Sequence, residues 1–305
     1  MDSTKHTTKR KKKFFRRNRL GIAAFVILLI GVVCGGLQYS DFVSRTVYKE
    51  SVSHLTEVFH QSNNLLSELA DKNLTYLHMW SEYLANTSDE SEIHEYIDKA
   101  QEEAGFLSFY FLSADGNYKM TTGETGYLGL QENLEDEIRQ GKDLITNVAL
   151  PGKSQMLVFV SPRAYGTYEG FEYDAIAIAY ENADIVKVLD ISAFQGNAKS
   201  YVVHSDGRVV IDHSNESWGT VYNFFGVLRE HSNISEEVIL ALSDQFKEGC
   251  TDAMLVKLDG KDYYLVYEKS KIQDWTLLGL VPTDIVNTSM NTLQFCTMLL
   301  VGAVM

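Results

Sequence analysis

The chain has 305 residues, of which 45% are hydrophobic and 22% charged, and this is the balance of a folded protein with room for about two domains. Its net charge of -14 argues against a nucleic-acid-binding protein. Three cysteines, no two of them at a C-x-x-C spacing, exclude a disulfide-rich scaffold and a cysteine zinc site. The charge is uneven, because residues 1–19 hold five lysines and four arginines against Asp2 alone. That segment carries +8, which leaves -22 on the remainder.

An apolar segment, residues 20–40, follows this basic arm and contains no Asp, Glu, Lys, Arg or His. As a helix it would span roughly 31 Å, the hydrocarbon thickness of a bilayer. A cleaved signal peptide would have an apolar core of about 7–15 residues and a small-residue cleavage site. A lipoprotein signal would need a small residue where Val33 precedes Cys34. The sequence therefore predicts an uncleaved transmembrane helix over residues 20–40, with residues 1–19 as a basic cytoplasmic arm and the acidic bulk extracytoplasmic.

The chain ends on a second apolar segment, residues 293–305, which is too short to cross a bilayer. It is either a buried core helix or the first part of a second transmembrane helix. We favour the second interpretation and assign residues 288–305 to the start of transmembrane helix 2. On this interpretation the chain is the front part of a longer protein.

Residues 41–104 are predicted to form a stalk helix and a shorter distal helix. No Gly or Pro interrupts the 45 residues that follow Ser40, and apolar residues recur there at helical spacing. The apolar residues in this pattern are Leu55, Phe59, Leu66, Leu69, Leu77, Trp80 and Leu84. The pattern predicts a long amphipathic helix, a break at Asn86 to Asp89, and a second helix from Ile93 to Glu103.

From Gly105 onward, short runs of aromatic and β-branched residues alternate with Asp-Gly turns, a pattern typical of antiparallel strands. Hairpins are predicted around Asp115-Gly116 and around Asp206-Gly207. SQMLVFVS and FEYDAIAIAY are further strands, ENADIVKVL is a helix, and strands around Asp259-Gly260 and in DWTLLGLVP complete the set. Three matched segments recur in the same order at offsets of 91, 98 and 100 residues, which favours an internal duplication. We expect an α+β protein with two sheet modules, residues 105–195 and 196–287.

This arrangement resembles the double Cache sensor region of bacterial transmembrane receptors, in which two PAS-like lobes are stacked along a shared helix. The resemblance is carried by the paired Asp-Gly hairpins and by the closing segment DWTLLGLVPTDIVN, residues Asp274 to Asn287. TGETGYLGL and YEGFEYDAIAIAYENAD are similar to sensor regions on diguanylate cyclases (GGDEF proteins) and hybrid sensor histidine kinases. The resemblance implies a membrane-distal lobe at 105–195, a membrane-proximal lobe at 196–287, and a homodimer through the stalk helix.

The function implied by the resemblance is ligand sensing for an output domain beyond Met305, most simply a diguanylate cyclase or a histidine kinase. A non-enzymatic chemoreceptor and a membrane-anchored adhesion or structural ectodomain remain as alternatives. Motifs of nucleotide binding, of hydrolases and of kinases are missing from the sequence, so we predict no catalytic residue and no cofactor. His204 and His213 flank the second hairpin at a spacing that is not typical of metal ligands, and we predict no metal site.

The resemblance places a pocket for a small polar ligand between the distal sheet and the loop after its first hairpin. Aromatic walls with a few polar groups suit such a ligand, and Arg163 could hold a carboxylate through a bidentate pair. The candidate ligand-binding residues are Tyr110, Tyr118, Thr121, Arg163, Tyr165 and Tyr180. Alternatively, the tyrosines simply pack a half-buried sheet. Amino-acid-recognising members carry Arg-x-Trp-Tyr where this chain has TTGETGYLGLQENL, and this departure argues against recognition of an amino acid or amine.

Overall fold

A computed structural model describes residues 3–128, 134–149, 155–188, 197–213 and 221–286. The chain divides into two compact units, one formed by residues 1–54 and 284–305 and the other by residues 55–283. Within the described residues, no helix combines the length and the apolar character that a membrane span requires. Most side chains of the predicted first span, residues 20–40, and all of residues 288–305 lie outside the described part.

Two helices begin the chain. Helix α1 (Ser3–Asn86) is continuous, and α2 (Glu90–Ala104) follows after a short break. The break arises because Asp89 caps α2, its carboxylate accepting hydrogen bonds from the backbone N–H of Ser91 at 2.9 Å and of Glu92 at 3.4 Å. Residues 55–86 of α1, here called the stalk segment, bury one apolar side. Six of the seven predicted apolar positions are buried in the structure, namely Leu55, Phe59, Leu66, Leu77, Trp80 and Leu84.

The distal lobe is built on a six-stranded antiparallel sheet in the order β3-β2-β1-β8-β5-β4. Its elements are β1 (Ser108–Leu112), β2 (Asn117–Met120), β3 (Thr125–Tyr127), α3 (Leu134–Arg139), β4 (Leu144–Ala149), β5 (Gln155–Ser161), β6 (Gly166–Tyr168), β7 (Phe171–Tyr173), β8 (Ala175–Glu181) and α4 (Asn182–Val188). The predicted first hairpin and the strands β5 and β8 are confirmed. The segment PRAYGTYEG contains β6, which pairs with β7 at the start of the predicted strand FEYDAIAIAY to form a small separate hairpin.

The proximal lobe has a five-stranded antiparallel sheet in the order β10-β9-β13-β12-β11. Its elements are β9 (Lys199–Val203), β10 (Val209–His213), α5 (Phe224–His231), α6 (Glu236–Glu248), β11 (Asp252–Leu258), β12 (Lys261–Lys269), β13 (Thr276–Pro282) and α7 (Thr283–Val286). Helices α5 and α6, which were not predicted, supply Phe224, Phe225 and Phe246 to a core cluster with the sheet residues Tyr201, Leu278 and Leu280. One face of this sheet is therefore filled by aromatic and aliphatic side chains.

The stalk segment packs against the other face of the proximal sheet at Gly279 of β13. A Cβ atom added at Gly279 would lie 1.7 Å from Cζ of Phe59, a fully buried ring of the stalk segment. Only glycine allows so close an approach of helix and strand. In the distal lobe, the indole of Trp80 packs against Phe109 of β1, with ring centroids 6.0 Å apart. One helix thus contacts both sheets.

The first hairpins of the two lobes are constructed alike. In the distal lobe, the backbone N–H of Ala114 donates to the carboxylate of Asp174 at 2.8 Å. In the proximal lobe, the N–H of Ser205 donates to the carboxylate of Asp274 at 3.2 Å. Each turn ends on a glycine with positive φ, 88° and 84°. Matching β2, β1, β8, β5 and β4 with β10, β9, β13, β12 and β11 preserves the order of neighbours in both sheets.

Candidate functional site

The candidate site lies on the face of the distal sheet that carries Tyr110 and Tyr118, here called the inner face. Residues directly opposite each other in antiparallel strands share a face. Tyr110 of β1 is paired with Ala177 of β8, and Leu112 is paired with Tyr118 of β2. The two tyrosine rings meet edge to face with centroids 5.0 Å apart. The strand register therefore puts this pair of candidates on one surface.

Small side chains lie beside this pair on the central strand β8. Ala175, Ala177 and Ala179 alternate along β8 and all point to the inner face, where they join one core cluster with Tyr110 and Tyr118. An alanine projects a single methyl group, so this part of the inner face rises little above the backbone. All three alanines are nevertheless fully buried, because the larger side chains of the cluster cover them.

The polar groups of the inner face are phenols and a carboxylate. The hydroxyl of Tyr118 donates to the carboxylate of Glu124 across 3.4 Å, and its ring lies against Gly126 of β3. Burial, followed by the charge of Glu124, raises the pKa of Tyr118. Burial likewise raises the pKa of Tyr110, although its hydrogen bond with Ser108 acts in the opposite direction. Both phenols are therefore neutral near pH 7, and the O–H of Tyr118 is already donated to Glu124. Thr121 is half-buried in the turn after β2.

Tyr180 lies on the opposite face of the sheet, here called the stalk face. It is paired with Leu157 of β5, one residue out of phase with the alanines. Its hydroxyl donates to Oδ1 of Asn73 in the stalk segment at 2.7 Å and lies 3.2 Å from the carbonyl oxygen of Ala104. Burial raises the pKa of Tyr180 to about 12. This tyrosine connects helix and sheet and does not share a surface with Tyr110.

Arg163 and Tyr165 lie beyond the end of β5, also apart from the tyrosine pair. The guanidinium of Arg163 is more than half exposed and stands 3.9 Å from the carboxylate of Asp143. The ring of Tyr165 is 82% exposed. The structure thus brings together Tyr110 and Tyr118 of the six candidates, places Thr121 at the end of the same hairpin, and separates the remaining three.

Two histidines of the stalk segment, which sequence reasoning did not single out, contact carboxylates that lie in a sheet or next to one. Nε2 of His78 lies 2.8 Å from Asp143, whose other oxygen accepts a hydrogen bond from Ser161. Nδ1 of His60 lies 2.7 Å from Glu268 of β12. Both partners are distant in sequence, so no local motif reveals them. In the described ranges, no cluster of three or more His, Cys, Asp or Glu side chains is placed to hold a metal ion.

Comparison with known proteins gives matches in structure only. No protein-family model matches the chain, and no curated protein matches it. The sensory domain of the Campylobacter jejuni chemoreceptor Tlp3, with isoleucine bound, is similar with a TM-score of 0.54 and 10% identity, covering 81% of this chain and 98% of that one. The ligand-binding domain of the Pseudomonas aeruginosa PAO1 amino-acid chemoreceptor PctB, in complex with L-Arg, is similar with a TM-score of 0.57 and 14% identity. The match covers 77% of this chain and 97% of that one.

A histidine-kinase domain shares the same architecture. The extracellular domain of the putative histidine kinase mmHK1S-Z3 is similar with a TM-score of 0.53 and 14% identity, covering 81% of this chain and 98% of that one. The two sheets and their shared helix therefore have the fold of these sensory domains. More particularly, the chain has the double-lobed fold of chemoreceptor and histidine-kinase sensors, which confirms the predicted double Cache resemblance at the level of the fold.

Proposed function

We propose that the chain is the ligand-sensing input region of a bacterial transmembrane signalling receptor. The observation that carries the proposal is the inner face of the distal sheet, where Tyr110 and Tyr118 stand beside three alanines. This face belongs to a fold shared with domains whose structures hold isoleucine and L-Arg. We propose residues 105–195 as the membrane-distal lobe and residues 196–287 as the membrane-proximal lobe.

The membrane topology belongs to the same proposal. The basic arm, residues 1–19, is cytoplasmic, residues 20–40 cross the bilayer, and residues 288–305 begin a second crossing. The sensor region is extracytoplasmic, and two copies associate through the stalk helix. The charge asymmetry of +8 against -22 supports this orientation, since basic flanks stay in the cytoplasm.

We propose a small polar ligand that contacts Tyr110, Tyr118 and Thr121. A phenol oxygen can accept a hydrogen bond from a ligand while its own O–H stays donated within the protein, and the aromatic rings contribute apolar contact. A ligand changes the balance between two arrangements only if it binds one of them more tightly. Strands β1 and β8 are common to both faces of the sheet, because Phe109 contacts Trp80 while the next residue, Tyr110, belongs to the inner face. A movement of β1 caused by a ligand at Tyr110 would therefore also move Phe109, which contacts Trp80 of the stalk segment.

The ligand proposal is tested by thermal unfolding of the 305-residue chain, purified in mild detergent, with a panel of amino acids, carboxylic acids, sugars and purines. A ligand at 100 times its Kd stabilises a protein by about 2.7 kcal/mol, which raises Tm by roughly 5–10 °C at this size. Tyr110→Phe with Tyr118→Phe keeps both rings and should reduce the rise. Tyr165→Phe, which changes an exposed ring, is the matched control and should preserve it. A panel in which no compound raises Tm would contradict direct sensing.

The output domain is proposed to be a diguanylate cyclase or a histidine kinase encoded beyond Met305. A chemoreceptor is the second candidate, favoured by the similarity to Tlp3 and PctB. Sequencing the gene past this residue distinguishes them. A GGDEF domain or a kinase pair supports the first proposal, a long heptad-rich coil supports the second, and a stop codon directly after Met305 contradicts both.

A further inference from the structure

A surface cleft lies between helix α2 and the small hairpin β6–β7, on the stalk face of the distal sheet. Phe111 of β1 stacks on Tyr168 of β6 with ring centroids 4.2 Å apart, whereas the preceding residue, Tyr110, belongs to the inner face. The volume of the cleft is about 370 Å³, within the range of about 300–1,000 Å³ that is usual for small-molecule sites. This cleft is therefore separate from the site proposed on the inner face.

Four carboxylates line the cleft, which is here called the acidic cleft. They belong to Glu90, Glu95 and Asp98 of α2 and to Glu169 in the turn of the hairpin. The hairpin is fixed to its surroundings, because the backbone N–H of Glu169 donates to Glu90 at 2.9 Å and its carbonyl oxygen accepts from Nζ of Lys119 at 3.0 Å. The two walls of the acidic cleft are thus joined before any ligand binds.

Two of the four carboxylates already have lysine partners. Nζ of Lys99 lies 2.7 Å from Glu95, and Nζ of Lys119 lies 2.8 Å from Glu169. The other two have no lysine or arginine partner among the described residues: Glu90 accepts from the peptide N–H already named, and Asp98 lies 3.3 Å from Nε2 of His94. Two negative charges therefore remain for an incoming cation.

The phenol of Tyr168 independently indicates a ligand in the acidic cleft. This residue is 1% exposed and its ring is held by Phe111, yet its hydroxyl has no hydrogen-bond partner in the described part of the chain. Burial raises the pKa of this phenol, and the charges of Glu169, Glu90 and Asp98 raise it further. The hydroxyl is therefore neutral near pH 7 and lies close to three carboxylates. A buried polar group without a partner is costly, and an N–H donor in the cleft would satisfy the phenol oxygen.

The unpaired charges favour an organic cation over a metal ion. In the described ranges, no three His, Cys, Asp or Glu side chains are placed to hold a metal ion. Glu90 and Asp98 are eight residues apart, about 12 Å along the helix axis. One ammonium group neutralises only one of these charges, whereas a molecule with an ammonium group at each end of a short carbon chain neutralises both. Ammonium groups carry N–H donors and no acceptor, which suits carboxylates and a phenol oxygen.

We propose that the acidic cleft binds a diamine, whose two ammonium groups pair with Glu90 and Asp98 while one of them donates a hydrogen bond to the phenol oxygen of Tyr168. The bound diamine joins α2 to the β6–β7 hairpin. This site does not depend on the ligand proposed for the inner face, and the two sites can be tested separately.

Isothermal titration calorimetry of the 305-residue chain, in non-ionic detergent at low ionic strength, tests the proposal with putrescine as the probe. We expect one putrescine to bind per chain. Butylamine has the same carbon chain but a single ammonium group, so it should bind about threefold to fivefold more weakly, as expected for the loss of one exposed ion pair. Raising NaCl from about 50 mM to about 500 mM should weaken putrescine binding at least about threefold, because exposed charges are screened.

Substitutions then locate the site. Glu90→Gln with Asp98→Asn keeps the shape of both side chains and should raise the Kd of putrescine by about tenfold or more. Tyr168→Phe keeps the stacked ring and should raise Kd roughly threefold. Glu102→Gln is the matched control, since it removes the same charge from an exposed position of α2 outside the cleft, and it should leave Kd unchanged. The comparison with butylamine needs no variant and stays valid if a substitution disturbs folding.

Three results would overturn the diamine site. The first is no binding of putrescine, or equal binding by wild type and the Glu90→Gln/Asp98→Asn variant. The second is binding that is lost in Tyr110→Phe/Tyr118→Phe and kept in Tyr168→Phe, which would put the diamine on the inner face. The third is displacement of putrescine by an equal concentration of Mg²⁺, which would show a general attraction for divalent cations. Failure of putrescine to bind leaves the proposal for the inner face untouched.

Discussion

Replacing Gly279 by alanine should be among the most damaging single-methyl additions to this chain. The added Cβ would lie 1.7 Å from Cζ of Phe59 and 2.1 Å from its Cε1, whereas carbon atoms in contact stand about 3.5–4.0 Å apart. The ring or the strand must therefore move by about 2 Å. Neither can do so freely, because Phe59 is fully buried and β13 lies between β9 and β12.

The expected cost of Gly279→Ala is at the upper end of that found for overpacked interiors, about 3 kcal/mol. For a protein of this size it corresponds to a Tm lower by roughly 6–12 °C. Thermal and urea unfolding measure the loss. Gly226→Ala is the matched control, since a Cβ at Gly226 would meet nothing within 4 Å. Because Gly226 lies in helix α5, this substitution should leave stability unchanged or raise it by up to about 1 kcal/mol.

A double-mutant cycle tests whether Phe59 is the cause. Phe59→Leu shortens the side chain, so Gly279→Ala should cost at least about 1 kcal/mol less in that background. If Gly279→Ala unfolds like wild type, or if the two substitutions are strictly additive, the helix does not pack on β13 as closely as the structure indicates.

Two further substitutions probe contacts within residues 55–283. Tyr180→Phe removes the hydroxyl that donates a 2.7 Å hydrogen bond to Oδ1 of Asn73. The substitution should lower the unfolding free energy, measured by urea denaturation, by about 1–2 kcal/mol. An unchanged value would show that this hydrogen bond contributes nothing to stability. Burial opposes ionisation of Asp274, but bonds from His204 and Ser205 outweigh it and hold the pKa of that carboxyl below its usual range. The stabilising contribution of Asp274 is therefore present near neutral pH and is lost as the pH falls through the lowered pKa. The difference in unfolding free energy between wild type and Asp274→Asn should shrink from pH 7 to pH 3. A difference that stays constant with pH would contradict the assigned cause.

The order of elements was predictable because the local signals agree. Asp115-Gly116 and Asp206-Gly207 demand a turn in which glycine takes positive φ, and alternating aromatic and β-branched residues on either side specify strands. The break between α1 and α2 was equally visible, since Asp89 is a good capping residue. These turns, strands and helix ends depend on residues only a few positions apart, so they can be predicted without knowledge of the tertiary structure.

The grouping of site residues was only partly predictable. Tyr110 and Tyr118 are connected by one hairpin, and their shared face follows from its register. Tyr180 belongs to a strand about 60 residues later along the chain, and a shift of one residue in pairing decides which face it joins. The contact of His60 with Glu268 spans 208 residues. Nothing in an amphipathic helix distinguishes a histidine that meets a buried carboxylate from one that meets solvent.

The two sheets also differ in what their matching central strands carry. On β8 the inner positions are Ala175, Ala177 and Ala179, whereas on β13 the residues that join the core are Leu278 and Leu280. Both sets of residues are fully buried in their core clusters, so enlarging a side chain on either strand strains a filled interior. On β8 the alanines leave the space above the strand to larger side chains from other elements of the lobe. A larger residue on β8 therefore requires a smaller one among those neighbours, and changes of the inner face are expected to occur as compensating pairs.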